Sequence, residues 1–426
     1  MFNNGPSFEQ SPPLKASLPF FLTAPIFLMM GVILLFLKDI NFLERWLPNT
    51  IGLIHFFNLG FLVMIIMGVL IQMLPVLVGV VIPKVLLVSR LSYFLITIGA
   101  LFFPLGMIIM NRTMIRIGSL SAWSALFIFF SITLYTLQNG IKSFTLSAFK
   151  LSSLAALVTL VWAGRLTWGW TEFGEFSNYR SPMVELHIAW ALFGFAYILI
   201  MGVTYKIIPM FYVTTDHSFR LTKYGTKIIF LFLSIWTIIF QTFIFQKYIF
   251  LQKIIPFIKI GISIVIIFFS CETFWRLRKR KRPVVDTSLI YWQISMVLFS
   301  FGAFFYSISQ YLSAEIINIF SSASFGMALL SLITGMLYKI VPFLIWLRLS
   351  SKNISSTPTI RELLPDRFTR KQLYMHLTVI VFLTISIFLP HLKYLFSFFL
   401  LCSLVLTLAL LFLPLNIYRN HLKRNI

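Results

Sequence analysis

The chain has 426 residues, of which 59% are hydrophobic and 11% charged, and its formal net charge is +23. So few charges exclude a water-soluble domain of this length, and apolar runs that are continuous rather than alternating exclude a β-barrel. The positive excess reads as the cytoplasmic loops of a polytopic membrane protein rather than a nucleic-acid surface, so no nucleic-acid partner is expected.

A polar, Pro-containing start with one basic residue leads into the first apolar segment, 18–37. No small-residue cleavage site follows a charged region there, so this segment is expected to be a retained helix rather than a signal peptide. Further apolar segments lie at 51–79, 92–110, 116–137, 147–170, 184–212, 225–246, 249–274, 286–311, 317–347, 373–390 and 394–418. Crossing a bilayer takes ~20 apolar residues, so the expected fold is all-α, with twelve transmembrane helices in a single membrane domain. Cys271 and Cys402 are far apart and form no CxxC pattern, which leaves neither a disulfide framework nor a thiolate metal site.

One motif recurs three times. Gly68-Val-Leu-Ile-Gln-Met-Leu-Pro75 returns as Gly202-Val-Thr-Tyr-Lys-Ile-Ile-Pro209 and as Gly335-Met-Leu-Tyr-Lys-Ile-Val-Pro342, with the glycines 134 and 133 residues apart. A period this long predicts a multi-helix module, and the copies fall on the second, sixth and tenth segments. The segments therefore group into three four-helix modules, 18–137, 147–274 and 286–418, in an expected pseudo-threefold arrangement with the motif helices innermost.

Basic residues fix the expected orientation. Lys84, Arg90, Lys142, Lys150, Arg220, Lys223, Lys227 and the run from Arg276 to Arg282 lie in even-numbered loops. Lys352, Arg361, Arg367, Arg370 and Lys371 do too, and the tail adds Arg419, Lys423 and Arg424. The short odd loops hold Asp39, Glu44, Glu172, Glu175 and Glu315. Both termini are then cytoplasmic, in a bacterial-type inner membrane.

His55 and His187 lie a few residues inside the second and sixth segments, near the outer face. Histidines within a membrane are functional candidates, and imidazole is a common ligand of haem iron and copper. At 100° per residue, His187, Trp190, Gly194, Tyr197, Met201 and Tyr205 share one stripe. His55 stands 13 residues before its glycine and His187 15 before its own, a rotation of roughly 160°. The pair is thus not repeat-equivalent and meets only if the two helices flank one space. Arg165, between Trp162 and Trp168, reads as an aromatic-belt arginine or as a clamp for an anionic group such as a haem propionate. Glu185 is a candidate supporting carboxylate or an interfacial acid. His391, in the turn between segments 11 and 12, is the reserve ligand on the outer side. His217, His376 and His421 are expected to be solvated, Lys206 and Lys339 to snorkel, and Met64, Met67, Met73, Met201 and Met210 to pack.

The stretches PFFLTAPIF at 19–27, HFFNLGFLVMIIMGVLIQMLPVLVG at 55–79 and GFAYILIMGVTYKIIPMF at 194–211, in a twelve-helix, three-module plan, resemble subunit I of the haem–copper oxidases and the NnrS-like membrane proteins. The resemblance implies a haem-binding protein, with haem b as cofactor and copper as a second candidate. His55 matches the helix 2 haem ligand and His187 the helix 6 copper ligand. It also implies electron transfer, nitric oxide handling or respiratory-complex assembly, with respiratory subunits or cytochromes as partners beside the lipid bilayer. The seventh and tenth segments contain no histidine, so the family's oxygen-reducing binuclear centre has no ligand set here. The alternatives are a secondary transporter, against which a four-helix period argues, and a cofactor-free membrane scaffold.

Overall fold

The computed structural model describes residues 12–38, 44–171, 180–244, 249–312, 315–351 and 357–424. Among them, twelve helices are long and apolar enough to cross a membrane. These are α1 Leu14–Leu37, α2 Pro48–Val78, α3 Val85–Ile108, α4 Arg112–Asn139, α5 Phe144–Gly169 and α6 Arg180–Tyr212. The second half comprises α7 Phe219–Thr242, α8 Leu251–Arg278, α9 Thr287–Ile308, α10 Glu315–Ser350, α11 Asp366–Phe388 and α12 Pro390–His421. No strand occurs among the described residues, and the chain is an all-α, multi-pass membrane protein. Its outward apolar side chains, such as Phe94, Leu120 and Phe268, are more than half exposed, as suits contact with lipid. Asp39, Glu172 and Glu175 lie outside the described residues.

Local chemistry sets the helix ends. Pro48 opens α2, where a missing N–H costs nothing, and Gly79 closes it in the left-handed region at φ 71°. Asn111 caps α4 by accepting from the Met114 N–H at 3.0 Å, and Asp286 caps α9 by accepting from the Leu289 N–H at 2.9 Å. The motif prolines do not end their helices. Pro75, Pro209 and Pro342 all lie inside, and α10 continues to Ser350. Membrane helices tolerate proline where packing against other helices supports the freed backbone groups.

The packing follows a repeated scheme. Helix α1 packs on α2 and α3, α5 on α6 and α7, and α9 on α10 and α11. Helix α4 then packs on α5, α8 on α9, and α12 back on α1. The motif helices are the most enclosed: 89%, 72% and 89% of the central window is buried in α2, α6 and α10, against 33% to 50% elsewhere. Each motif glycine abuts the helix that precedes its own. A Cβ on Gly68 would lie 2.7 Å from the Phe21 ring, on Gly202 2.6 Å from Ala148 Cβ, and on Gly335 2.5 Å from Tyr291 Cβ. Close approach through small residues is how membrane helices gain van der Waals contact.

Two of the motif helices are not α-helical throughout. Phe56–Val63 in α2 and Trp190–Tyr197 in α6 are π-helical, whereas α10 is α-helical throughout. Both π segments begin 12 residues before their glycine. Such segments are rare and collect at functional sites.

Candidate functional site

The side on which the even-numbered helices begin, the expected outer side, brings His55 and His187 together. His55 directly precedes the π segment of α2, and His187 stands three residues before that of α6. Their ring centres are 6.5 Å apart and the planes differ by 13°. Rings in van der Waals contact face to face would lie about 3.5–4.0 Å apart. Two imidazoles on opposite sides of one metal ion, with bonds of about 2.0–2.1 Å and about 1.1 Å from nitrogen to ring centre, span about 6.3 Å. At 6.5 Å the two rings are too far apart for face-to-face contact and close to the second spacing.

Each ring has its own setting. Nδ1 of His55 lies 2.7 Å from the Ile51 carbonyl oxygen one turn back. Nδ1–H donates there, which leaves the Nε2 lone pair for a ligand's partner. The edge of Phe103 on α3 closes one side, with ring centres 4.9 Å apart. Nδ1 of His187 is buried without a hydrogen-bond partner, although the backbone of Thr159 on α5 passes beside the ring. Both residues are half-buried.

The π segments occupy the same register, so they leave the two-residue offset between the histidines in place. The rings meet because neighbouring helices present different sides to the space between them. His187 departs from the rest of its stripe. His187 faces α2 and α5, whereas Trp190 Nε1 donates to Thr237 Oγ1 on α7 at 2.8 Å and Tyr197 reaches Ser270 on α8 at 3.0 Å.

The remaining sequence candidates disperse. Arg165 is exposed, with its guanidinium 5.2 Å from the centre of the Trp162 ring, the aromatic-belt arrangement. His391 is exposed in the 3₁₀ turn Pro390–Leu392 that opens α12. No described contact joins either to the histidine pair. Glu185 is an acceptor in a buried cluster that the sequence reading missed. Lys259 on α8, its side chain 7% exposed, donates to Glu185 Oε2 at 2.8 Å and to Oε1 of Gln310, in the turn after α9, at 3.0 Å. The ring centres of Trp236 and Tyr306 lie 5.1 and 5.7 Å from the same ammonium. The signal was a single lysine inside the apolar run IPFIKIGIS of 255–263, which marks an intramembrane charge in need of a partner.

Three further expectations are corrected. His376 is 1% exposed, not solvated, and its Nε2 lies 2.8 Å from Ser331 Oγ on α10. It tops a polar stripe of Asp366, Thr369, Gln372 and His376 on α11, whose spacing of three, three and four residues places it on one face. Gln372 accepts from the Tyr291 hydroxyl and donates to Ser403 Oγ and Thr407 Oγ1 at 3.0 Å each. His217 is 5% exposed, its Nε2 2.9 Å from Thr273 Oγ1. Burial pushes it down to about 4; Glu272 opposes that shift and Arg276 adds to it. Lys339 does not snorkel but pairs with Asp286 at 2.9 Å, its ammonium 4.3 Å from the Tyr212 ring centre. Lys206, its counterpart in the second copy, is exposed. Of the methionines, Met64, Met67, Met73 and Met201 are buried, and Met210 is 45% exposed.

Among the described residues no group of three or more His, Cys, Asp or Glu side chains is placed to hold a metal ion. The arrangement is a two-imidazole site in a polytopic, all-α membrane protein. No protein-family model matches the chain, and no curated protein matches it.

Proposed function

We propose that the chain is a membrane haem protein of the haem–copper-oxidase and NnrS-like type, with His55 and His187 as the axial ligands. The observation that carries this reading is the 6.5 Å separation of two nearly parallel imidazoles on neighbouring inner helices. Haem, held by both imidazoles, would supply reversible one-electron chemistry. The chain contributes the rest: Ile51 fixes the His55 tautomer by accepting from Nδ1, and the apolar helices around the pair exclude water. Copper, held by the same two imidazoles, is the competing occupant.

The reading excludes oxygen reduction by a binuclear centre, because α7 and α10 carry no histidine. It places the protein in a bacterial-type inner membrane with cytoplasmic termini, working in electron transfer, nitric oxide handling or respiratory assembly beside respiratory subunits or cytochromes. It further takes 18–137, 147–274 and 286–418 as three equivalent modules. A second reading, a secondary transporter, draws on ion pairs at opposite ends of the bundle, Glu185–Lys259 and Asp286–Lys339.

The test is a visible spectrum of the protein purified in mild detergent, with metal analysis, for wild type, His55→Ala and His187→Ala. Each variant is first checked for a monodisperse, folded profile. A Soret band in wild type, and loss of the low-spin signal in both variants, is expected. Loss in one alone points to His391 or a non-histidine group as the other ligand. Copper without a Soret band assigns the pair to copper, and absence of both under gentle purification favours transporter or scaffold.

A further inference from the structure

The motif repeat has a second consequence, far from the histidines. Near mid-span α2, α6 and α10 line a partly open apolar cavity of about 70 Å³. Its walls come from equivalent positions of the three copies: Ile65, Leu199 and Leu332 three residues before the glycine, and Val69, Val203 and Met336 one residue after it. Trp292 of α9 is the one lining residue whose side chain carries a polar atom. We propose that this cavity is a binding site for a small apolar molecule of the size of a diatomic gas or a xenon atom.

The reason lies in how the repeat is built. Each motif glycine is turned toward the preceding helix, where close contact fixes its own helix. At 100° per residue the lining positions stand roughly 60° to 160° round the helix from that glycine. They are mostly Ile and Val, whose branched Cβ holds χ1 in one rotamer and keeps the side chain from reaching inward. Three helices anchored outward by their glycines and faced inward by stiff, short side chains leave a gap on their common axis.

Water does not suit the gap. A buried water needs two to four polar partners, and an apolar cavity of about 150 Å³ stays dry and takes benzene or xenon. At about 70 Å³ this one is too small for an aromatic ring and large enough for a xenon atom. Apolar gases partition into hydrocarbon, so the surrounding bilayer delivers such a ligand to the protein at a higher concentration than water does.

Crystals of the full chain pressurised with xenon test the proposal by anomalous diffraction. A xenon peak in contact with Ile65, Leu199 and Leu332 is expected in wild type, and its loss in both Val203→Phe and Met336→Phe, which fill the cavity from different helices. If neither variant folds, Ile333→Ala, which enlarges the cavity, should raise the xenon occupancy. No peak in wild type, ordered water in the cavity, a peak that persists in the phenylalanine variants, or unchanged occupancy in Ile333→Ala would each overturn it. The readout is independent of the histidine pair, so either proposal can fail without the other.

Discussion

Gly335→Ala isolates the packing role of the repeat, because the same helix carries its own control. The added Cβ would lie 2.5 Å from Tyr291 Cβ, 3.2 Å from its Cγ and 3.4 Å from the Ser288 carbonyl oxygen. Carbon atoms pack best at about 3.5–4.0 Å, so α9 or α10 must retreat by roughly 1 Å. The tyrosine cannot swing aside, since its Cβ is fixed to the α9 backbone, its side chain is buried, and its hydroxyl is held by Gln372. Overpacking of this kind costs about 1–3 kcal/mol, and the rigid neighbour argues for the upper end. For a chain of 426 residues that is a fall of roughly 1–3 °C in apparent Tm. Gly326, nine residues earlier on α10, faces open space, with nothing within 4 Å of its Cβ position. Alanine there should be neutral or stabilising by about 0.5–1 kcal/mol, through helix propensity alone. Thermal unfolding in one detergent, followed by tryptophan fluorescence and by size-exclusion yield after heating, compares the two. Equal stability of Gly335→Ala and Gly326→Ala would refute the reasoning.

Breaking the outer ion pair should cost more from the acid side. Glu185→Gln leaves the Lys259 charge buried at 7% exposure, whereas Lys259→Met leaves a carboxylate that is 34% exposed and keeps some hydration. The first should lose up to about 3–5 kcal/mol and the double variant should recover part of it; a larger loss in Lys259→Met, measured by thermal unfolding, would contradict this. His217 lies between α6 and α7, neutral in the folded protein at about 4 and ordinarily near 6.5. Its folded value is depressed, so the unfolded chain binds the proton first: stability is full above about pH 6.5, declines as pH falls, and levels off below about 4, a change of ~3 kcal/mol. His217→Gln should flatten that limb of a stability–pH profile, and an unchanged slope would assign the acid sensitivity elsewhere. Tyr291→Phe removes the donor to Gln372 Oε1 in a buried network, and should lower stability by about 1–3 kcal/mol; a Tm equal to wild type would mean that the amide finds another donor.

The sequence by itself determined the number and course of the helices, because the requirement is local. A bilayer accepts ~20 apolar residues in a self-bonded helix and little else, so twelve runs of composition are twelve spans. It also marked the helices that the structure encloses most, since a motif repeated at one place in three long apolar segments has no local purpose. The approach of His55 to His187 was legible only as a condition, that two helices flank one space. Whether they do depends on the rotation and placement of each helix, which packing against other helices decides. Tertiary structure alone decided which ionisable groups are buried. Lys259 was one lysine in an apolar run and Lys339 one in the repeated motif, and His217 and His376 were histidines on the basic side. What sealed them from solvent were partners distant in sequence: Glu185 and Gln310, Asp286, Thr273 and Ser331. Desolvation is a property of all the atoms around a group, and in this chain those atoms come from other helices.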